Sequence, residues 1–146
     1  MMLPGRYAAK MDLKGRVLLP EYFRKSWNSR RVFAATELSE SGLYVACYQR
    51  LPDRNEYLEY MRARHNPASA EFAELEIDRQ NRIQVGRLCR AARIENPLLF
   101  VSTGMPAFNS TYCIELWNAN DFERAEKQLQ SEIGSALSRV YHVPQQ

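Results

Sequence analysis

The chain has 146 residues, of which 45% are hydrophobic and 25% charged, and its net charge is +3. This length fits one domain or two small ones, and the composition is ordinary for a soluble protein. No apolar run approaches the roughly 20 residues of a membrane span, and the first ten residues lack the apolar core of a secretory signal. Neither a membrane protein nor a secreted one is therefore expected.

The charge is distributed unevenly. Residues 5–31 carry eight basic and two acidic side chains, and residues 79–93 carry five arginines and no acid. Residues 115–132 have the opposite balance, with five acids and two basic residues. Local basic patches on a nearly neutral chain indicate a surface that binds a polyanion, although solvated surface charge is the alternative.

The first part of the chain predicts a strand, a tight turn and a return strand. "YAAKM" ends at Asp12, and Asp at the first and Gly at the fourth position favour a type I turn. Gly15 can adopt the left-handed conformation that completes such a hairpin, and "RVLL" is the return strand. Pro20 then begins a short helix that runs to about Trp27. Strands follow at 32–36 and 43–48, joined by the loop "ELSESG".

The middle and the end of the chain predict helices. Tyr57, Tyr60, Met61 and Arg64 share one helical face, and Pro67 ends that helix. A second helix is expected over residues 69–75, capped by Ser69 and with Phe72 and Leu75 facing inward. A C-terminal helix is capped by Asn120, and its apolar stripe consists of Phe122, Ala125, Leu129, Ile133, Ala136 and Val140.

The chain repeats itself at a shift of 66 residues. "DLKGRVLLPEYFR" at 12–24 then aligns with "DRQNRIQVGRLCR" at 78–90, so that Asp12 meets Asp78, Arg16 meets Arg82 and Arg24 meets Arg90. Asn81 stands where Gly15 does, and Asn is the best substitute there among residues with a side chain. Gly86 replaces Pro20, and the later strands correspond to 98–102 and 112–117 if the second repeat has a longer loop at 103–111.

These motifs resemble the MraZ family of bacterial transcriptional regulators. "DLKGRVLLPEYFR" matches the family signature D-x-x-G-R-x-x-x-P-x-x-x-R, and Gly5 and "IELW" also fit the family pattern. The resemblance covers about residues 3–130. It implies a mainly β fold with short helices, in which two AbrB-like repeats form one pseudo-twofold, swapped-hairpin (double-split) β-barrel. The expected divisions are a first repeat at 3–52, a helical linker at 53–72, a second repeat at 73–119, and a C-terminal helix and tail at 120–146.

The resemblance also implies a function. Family members bind repeated sites in double-stranded promoter DNA as ring-shaped homo-oligomers and regulate their own division and cell-wall gene cluster. A cytoplasmic, nucleoid-associated protein is therefore expected. The family's DNA-contacting arginine corresponds to Arg16, and Arg82 matches it in the second repeat. The full set of expected DNA contacts is Lys14, Arg16, Arg24, Lys25, Arg79, Arg82 and Arg90, and the turn-forming residues are Asp12, Gly15, Asp78 and Asn81.

Other interpretations remain open from the residues alone. Asp12 and Arg16 could be partners that close the turn, and Arg24 could pair with an acid such as Glu21. An AbrB-like interaction module of the antitoxin type is the main functional alternative. An enzyme is not expected, because the only histidines are His65 and His142 and no catalytic motif is present. No cofactor, metal or small-molecule substrate is indicated. Cys47, Cys89 and Cys113 lack C-x-x-C spacing and are expected to be buried free thiols of a reducing cytoplasm.

Overall fold

A computed structural model describes residues 5–27, 29–39, 42–64, 66, 72–108 and 111–141, with side chains to residue 137. Within these residues the strands are β1 (Gly5–Ala9), β2 (Arg16–Leu18), β3 (Arg31–Ser39), β4 (Gly42–Tyr48), β5 (Ala73–Glu76), β6 (Arg82–Gln84), β7 (Leu98–Ser102), β8 (Pro106–Phe108) and β9 (Thr111–Asn118). The helices are α1 (Glu21–Lys25), α2 (Arg54–Ala63), α3 (Gly86–Ala92) and α4 (Ala119–Tyr141). The predicted mainly β fold with a linker helix and a C-terminal helix is confirmed.

The strands form one open antiparallel sheet and one separate two-stranded ribbon. The sheet has the order β1-β7-β9-β4-β3-β5, with β8 added on β9, and the ribbon consists of β2 and β6. Among the described strands the sheet path ends at β1 and at β5, so the sheet is not closed into the expected barrel. The order is symmetric under the 66-residue shift, because the two central strands β4 and β9 correspond to each other.

The first strand of each repeat pairs with the other repeat. β1 pairs with β7 from Gly5 opposite Ser102 to Ala9 opposite Leu98, and β5 pairs with β3 from Arg31 opposite Glu76 to Ala34 opposite Ala73. β2 likewise pairs with β6 rather than with β1. The expectation that "YAAKM" and "RVLL" pair as a simple hairpin is therefore wrong, although both strands form. The ladders join the two repeats into one structure.

The ribbon lies on an apolar core that both repeats build with equivalent residues. Val17 and Leu19 in the first repeat and Ile83 and Val85 in the second are each at most 1% exposed. Phe23 of α1 belongs to the same cluster. Burying one such side chain stabilises the fold by about 1.5–3 kcal/mol, so this core anchors the turns that precede β2 and β6.

A second buried cluster contains a carboxylate. Glu37 is 1% exposed and accepts hydrogen bonds from the hydroxyls of Tyr44 at 2.7 Å, Tyr48 at 2.5 Å and Tyr57 at 2.9 Å. Burial raises the pKa of Tyr44 and of Tyr48, and a negative charge on Glu37 raises both further, so their hydroxyls stay protonated and donate. Since Tyr57 lies on α2, this network ties the linker helix to β3 and β4.

Three predicted elements before the second repeat need correction. β3 does not end at Thr36 but continues to Ser39, because the tyrosine hydroxyls satisfy Glu37 inside the strand. Residues Ala73–Glu76 form a strand instead of the end of a helix, because pairing with β3 decides their conformation. Ser69, the expected cap of that helix, lies outside the described residues. Helix α1 ends at Lys25, and the Trp27 side chain turns inward to donate to the carbonyl oxygen of Gln49 at 3.2 Å.

The last part of the chain also differs from the prediction. The long loop after β7 contains the short strand β8, and Phe108 stacks on Tyr48 with ring centroids 5.7 Å apart. Asn118 rather than Asn120 caps α4, because its Oδ1 accepts from the backbone N of Asp121 at 3.0 Å. Phe122 packs on Trp117, but further along the stripe Leu129 is 55% and Ile133 is 52% exposed, and the neighbouring Leu137, which was not expected in the stripe, is 50% exposed. The tail at 142–146 and the Val140 side chain lie outside the described residues.

No helix among the described residues is both long enough and apolar enough to cross a membrane. All three cysteines are free thiols; Cys47 and Cys89 are buried as expected, whereas Cys113 is only half-buried. Burial raises the pKa of the Cys89 thiol to about 11, so this thiol remains protonated.

Candidate nucleic-acid interface

The turn before β2 is held by the side chain of Asp12. Its Oδ1 accepts hydrogen bonds from the backbone N of Lys14 at 2.9 Å and of Arg16 at 2.8 Å. The backbone closes the same turn, since Gly15 N donates to Asp12 O at 3.0 Å and Asp12 N donates to Arg16 O at 2.9 Å. Gly15 has φ of 81°, the left-handed conformation that glycine adopts without steric cost.

The turn before β6 repeats this geometry. Asp78 Oδ1 accepts from the backbone N of Gln80 at 2.8 Å and of Arg82 at 2.9 Å, and Asn81 N donates to Asp78 O at 3.0 Å. Asn81 takes the left-handed conformation with φ of 64°. Asn tolerates this region better than most residues with a side chain, so the two turns keep one shape despite different sequences.

Each turn fixes its arginine through the aspartate. Arg16 Nε donates to Asp12 Oδ2 at 2.8 Å, and Arg82 Nε donates to Asp78 Oδ2 at 3.0 Å. The interpretation of Asp12 and Arg16 as partners is thus correct. The hydrogen bond to Asp12 occupies only Nε of Arg16. The terminal nitrogens Nη1 and Nη2 of Arg16 make no hydrogen bond to any described residue. A positioned guanidinium with open terminal donors can bind a base edge or a phosphate.

The turn carboxylates are ionised at neutral pH. The backbone hydrogen bond from Arg16 holds the pKa of Asp12 below its ordinary value, and the Arg16 guanidinium adds to that effect. The backbone hydrogen bond from Arg82 and then its side chain lower the pKa of Asp78 in the same way. Both aspartates therefore remain anionic partners that orient the arginines.

The ribbon brings the two turns side by side. Arg16 is opposite Gln84, and Leu18 is opposite Arg82. As a result Arg82 Nη1 lies 3.9 Å from Asp12 Oδ2, so the arginines of both repeats flank one carboxylate. Their side chains are 29% and 25% exposed, which leaves both partly accessible from solvent. Two basic turns that are far apart in sequence thus form one continuous surface.

The other basic residues expected to contact DNA differ in how exposed they are and in whether they already have a partner. Lys14 and Arg79 are exposed at the tips of the first and second turn. Arg90 is exposed on α3, and Lys25 forms an ion pair with Glu21 at 3.0 Å. Arg24 is half-buried and donates from Nε to the Leu19 carbonyl oxygen at 3.2 Å. Within the described residues Glu21 forms its ion pair with Lys25, and an ion pair of Arg24 with Glu21 is not seen there.

Two residues that support the turns were not recognised from the sequence. Asn96 binds both backbone groups of Met11, with Oδ1 accepting from N at 2.9 Å and Nδ2 donating to O at 3.1 Å. Arg30 donates to the Asp78 carbonyl oxygen, to Ile77 O at 3.0 Å and to Asn81 Oδ1 at 3.2 Å. Arg30 and Asn96 occupy equivalent positions under the 66-residue shift, and this equivalence could have identified them from the sequence.

Comparison with known proteins shows which family the chain belongs to. No protein-family model matches the chain. A protein named Transcriptional regulator MraZ from Leifsonia xyli subsp. xyli is 30% identical over 134 residues, which cover 84% of this chain and 85% of that protein. A protein of the same name from Caldanaerobacter subterraneus subsp. tengcongensis is 26% identical over 134 residues, covering 86% and 87%. With similarity across most of both chains, the protein belongs to the MraZ family.

Proposed function

We propose that the protein is a transcriptional regulator that binds double-stranded DNA through the paired turns at Asp12–Arg16 and Asp78–Arg82. The juxtaposition of the two arginines by the β2–β6 ribbon carries this proposal. The relatives named as transcriptional regulators support the class of function. The exchange of β1 and β5 between repeats supports a pseudo-twofold, swapped-hairpin arrangement of AbrB-like repeats.

In this proposal Arg16 is the main contact with the bases. Arginine can donate two parallel hydrogen bonds to guanine, which a lysine at this position would not reproduce. Lys14 and Arg79, exposed at the turn tips, contact phosphates, which position the protein on the duplex. Arg82 contributes from the second turn, and the other basic side chains, Arg24, Lys25 and Arg90, contribute at the edge of the surface.

The expected target is the promoter of the protein's own division and cell-wall gene cluster, read in the cytoplasm at the nucleoid. Repeated sites there would match several identical subunits. The first test is binding of the intact protein to a labelled duplex from the region upstream of its gene, compared with a scrambled duplex of the same length. Equal affinity for both duplexes would contradict sequence-specific binding. Failure to bind either, with an unrelated protein co-purifying, would favour the interaction module.

Binding to this duplex should weaken steeply with salt. Each neutralised phosphate releases condensed counterions, so log K falls with log salt at a slope of about −0.9 per phosphate contact. Contacts from six or more basic side chains predict a loss of about 10³-fold between 50 and 200 mM salt. Fluorescence anisotropy at five or six salt concentrations measures the slope. A slope shallower than about −2 would contradict an interface of this basic character.

We also propose that the active form is a ring-like homo-oligomer. The apolar stripe of α4 packs on the chain's own sheet at Phe122 but is about half-exposed at Leu129 and Ile133, as is the neighbouring Leu137. A second copy of the chain would cover this stripe, and the sheet ends at β1 and β5 offer further unpaired backbone. Repeated DNA sites would then be bound by neighbouring subunits.

Replacing Ile133 with Glu should shift the protein to smaller assemblies, because a charge would enter the apolar contact between subunits. Ser135→Glu, also exposed on α4, is the matched control and should leave the assembly unchanged. Light scattering coupled to size exclusion measures both masses. A wild-type protein that is a stable monomer at micromolar concentration would refute the oligomer, and equal behaviour of the two variants would refute this interface.

A further inference from the structure

The turn of the first repeat is held by hydrogen bonds from the second repeat. Val85 N and Gly86 N donate to the carbonyl oxygen of Gly15 at 3.0 and 2.9 Å. Gln84 Nε2 donates to the carbonyl oxygen of Lys14 at 2.6 Å, and Gln84 Oε1 accepts from Gly86 N at 3.2 Å. Both carbonyl groups that precede Arg16 are therefore bonded to residues 84–86.

At this point the two backbones touch. A Cβ on Gly86 would lie 2.9 Å from Gly15 Cα, and a Cβ on Gly15 would lie 2.8 Å from Gly86 Cα and 2.5 Å from Gln84 Oε1. Carbon atoms do not approach so closely, so any side chain at either position would force the segments apart. The absence of a side chain at Gly86 is thus what lets the second repeat reach the first turn.

The first repeat makes fewer hydrogen bonds to the second turn than the second repeat makes to the first turn. Under the 66-residue shift, Leu18 and Pro20 stand where Gln84 and Gly86 do. Leu18 is 57% exposed and has no polar group that could bind a carbonyl, and Pro20 has no N–H. From this segment the second turn receives a single backbone hydrogen bond, from Leu19 N to Asn81 O at 3.0 Å. Of the two residues that make the additional bonds, Gly86 replaces the signature proline and Gln84 stands at a position that the signature leaves open.

We infer that Gln84 and Gly86 are positioning residues that hold the Lys14–Gly15–Arg16 turn in the conformation that binds DNA. The second repeat has specialised as a support for the first, and its own turn depends instead on the Arg30 side chain. This role rests on the proposed function, since the turn it serves is the proposed DNA contact. A turn that is already ordered loses less conformational entropy on binding, so the support raises affinity without touching DNA.

The test compares Gln84→Met with Asn55→Met. Asn55 is the matched control, because it is an exposed amide side chain on α2, outside the two turns, and its side chain makes no hydrogen bond to a described residue. Amide hydrogen exchange of the free protein is measured at Lys14 and Gly15, and anisotropy measures affinity for the upstream duplex. In Gln84→Met we expect exchange at these amides to rise by about tenfold and affinity to fall by roughly five- to tenfold. Asn55→Met should change neither by more than about twofold.

Several outcomes would overturn the inference. Unchanged exchange at Lys14 and Gly15 refutes the support even if affinity falls, because Gln84 would then act by contacting DNA itself. An equal loss of affinity in Asn55→Met refutes it as well. Gly86→Ala is a second variant, expected to raise exchange at the same amides by displacing Gly15. If the wild-type protein binds no DNA, the proposed function fails, while the exchange measurements still decide whether residues 84–86 order the turn.

Discussion

Replacing Arg16 with Ala should weaken binding to the upstream duplex by about five- to 150-fold, since a bidentate base contact contributes on the order of 1–3 kcal/mol. The effect should be larger in an oligomer, because every subunit loses the same contact. The fold should be retained, since Val17 and Leu19 anchor the turn and the exposed pair with Asp12 contributes little to stability. Anisotropy for affinity and thermal unfolding for stability measure the two effects separately.

Three companion variants identify the source of the loss. Arg62→Ala removes an exposed charge from α2, away from the ribbon, and should change affinity by less than about twofold. Arg16→Lys keeps the charge and should retain the salt slope while losing discrimination between the true and scrambled duplexes. The affinity of Arg82→Ala for the upstream duplex measures how much the second turn contributes to DNA binding. Unchanged binding by Arg16→Ala would remove Arg16 from the role proposed here.

Replacing Glu37 with Leu should lower the free energy of unfolding by about 3–5 kcal/mol, since it leaves three buried tyrosine hydroxyls without their acceptor. Glu37→Gln retains one acceptor oxygen and should lower it less. Glu59→Leu on the exposed face of α2 is the matched control and should lie within about 0.5 kcal/mol of the wild type. Urea unfolding measures all three. A Glu37→Leu protein as stable as the control would show that the tyrosines find other partners.

Glu37 should also make the stability of the protein depend on pH in a way that the stability of Glu37→Gln does not. Burial raises the pKa of Glu37 above its ordinary value of 4.5, against the opposing effect of the tyrosine hydrogen bonds. A raised folded-state pKa contributes stability that is complete below the unfolded-state pKa and is lost as pH rises through the folded-state pKa. The wild type should therefore lose stability relative to Glu37→Gln as pH increases from about 4. A parallel pH dependence of the two proteins would contradict this.

Much of the fold was accessible from the sequence because local patterns and long-range pairing agree. Strand β7 forms at the predicted residues, and α2 buries Tyr57 and Met61 as its periodicity indicates. The failures occurred where tertiary contacts override local preference. Residues 73–76 have helical composition but pair with β3, and Glu37 looks like a loop residue until the tyrosines around it are known.

At the site, the sequence indicated which residues form the two turns, but it did not indicate which residues support them. Aspartate followed three residues later by glycine or asparagine defines the backbone of each turn, so Asp12 and Asn81 could be placed from the sequence alone. The roles of Asn96, Arg30 and Gln84 depend on contacts between segments 48 to 85 residues apart in the chain. No local pattern encodes such contacts, and only the comparison of the two repeats could have indicated them.

The exchange of first strands between the repeats has a consequence for how the chain folds during synthesis. β1 is synthesised before its partner β7, whose paired residues lie 89 to 97 positions further along the chain, and β3 is likewise synthesised before its partner β5. The N-terminal half therefore cannot complete its sheet while it is the only part made. Pairing over such separations slows folding and leaves unpaired strands exposed in the meantime. The two repeats therefore complete their sheet together, once β7 and β9 have been translated.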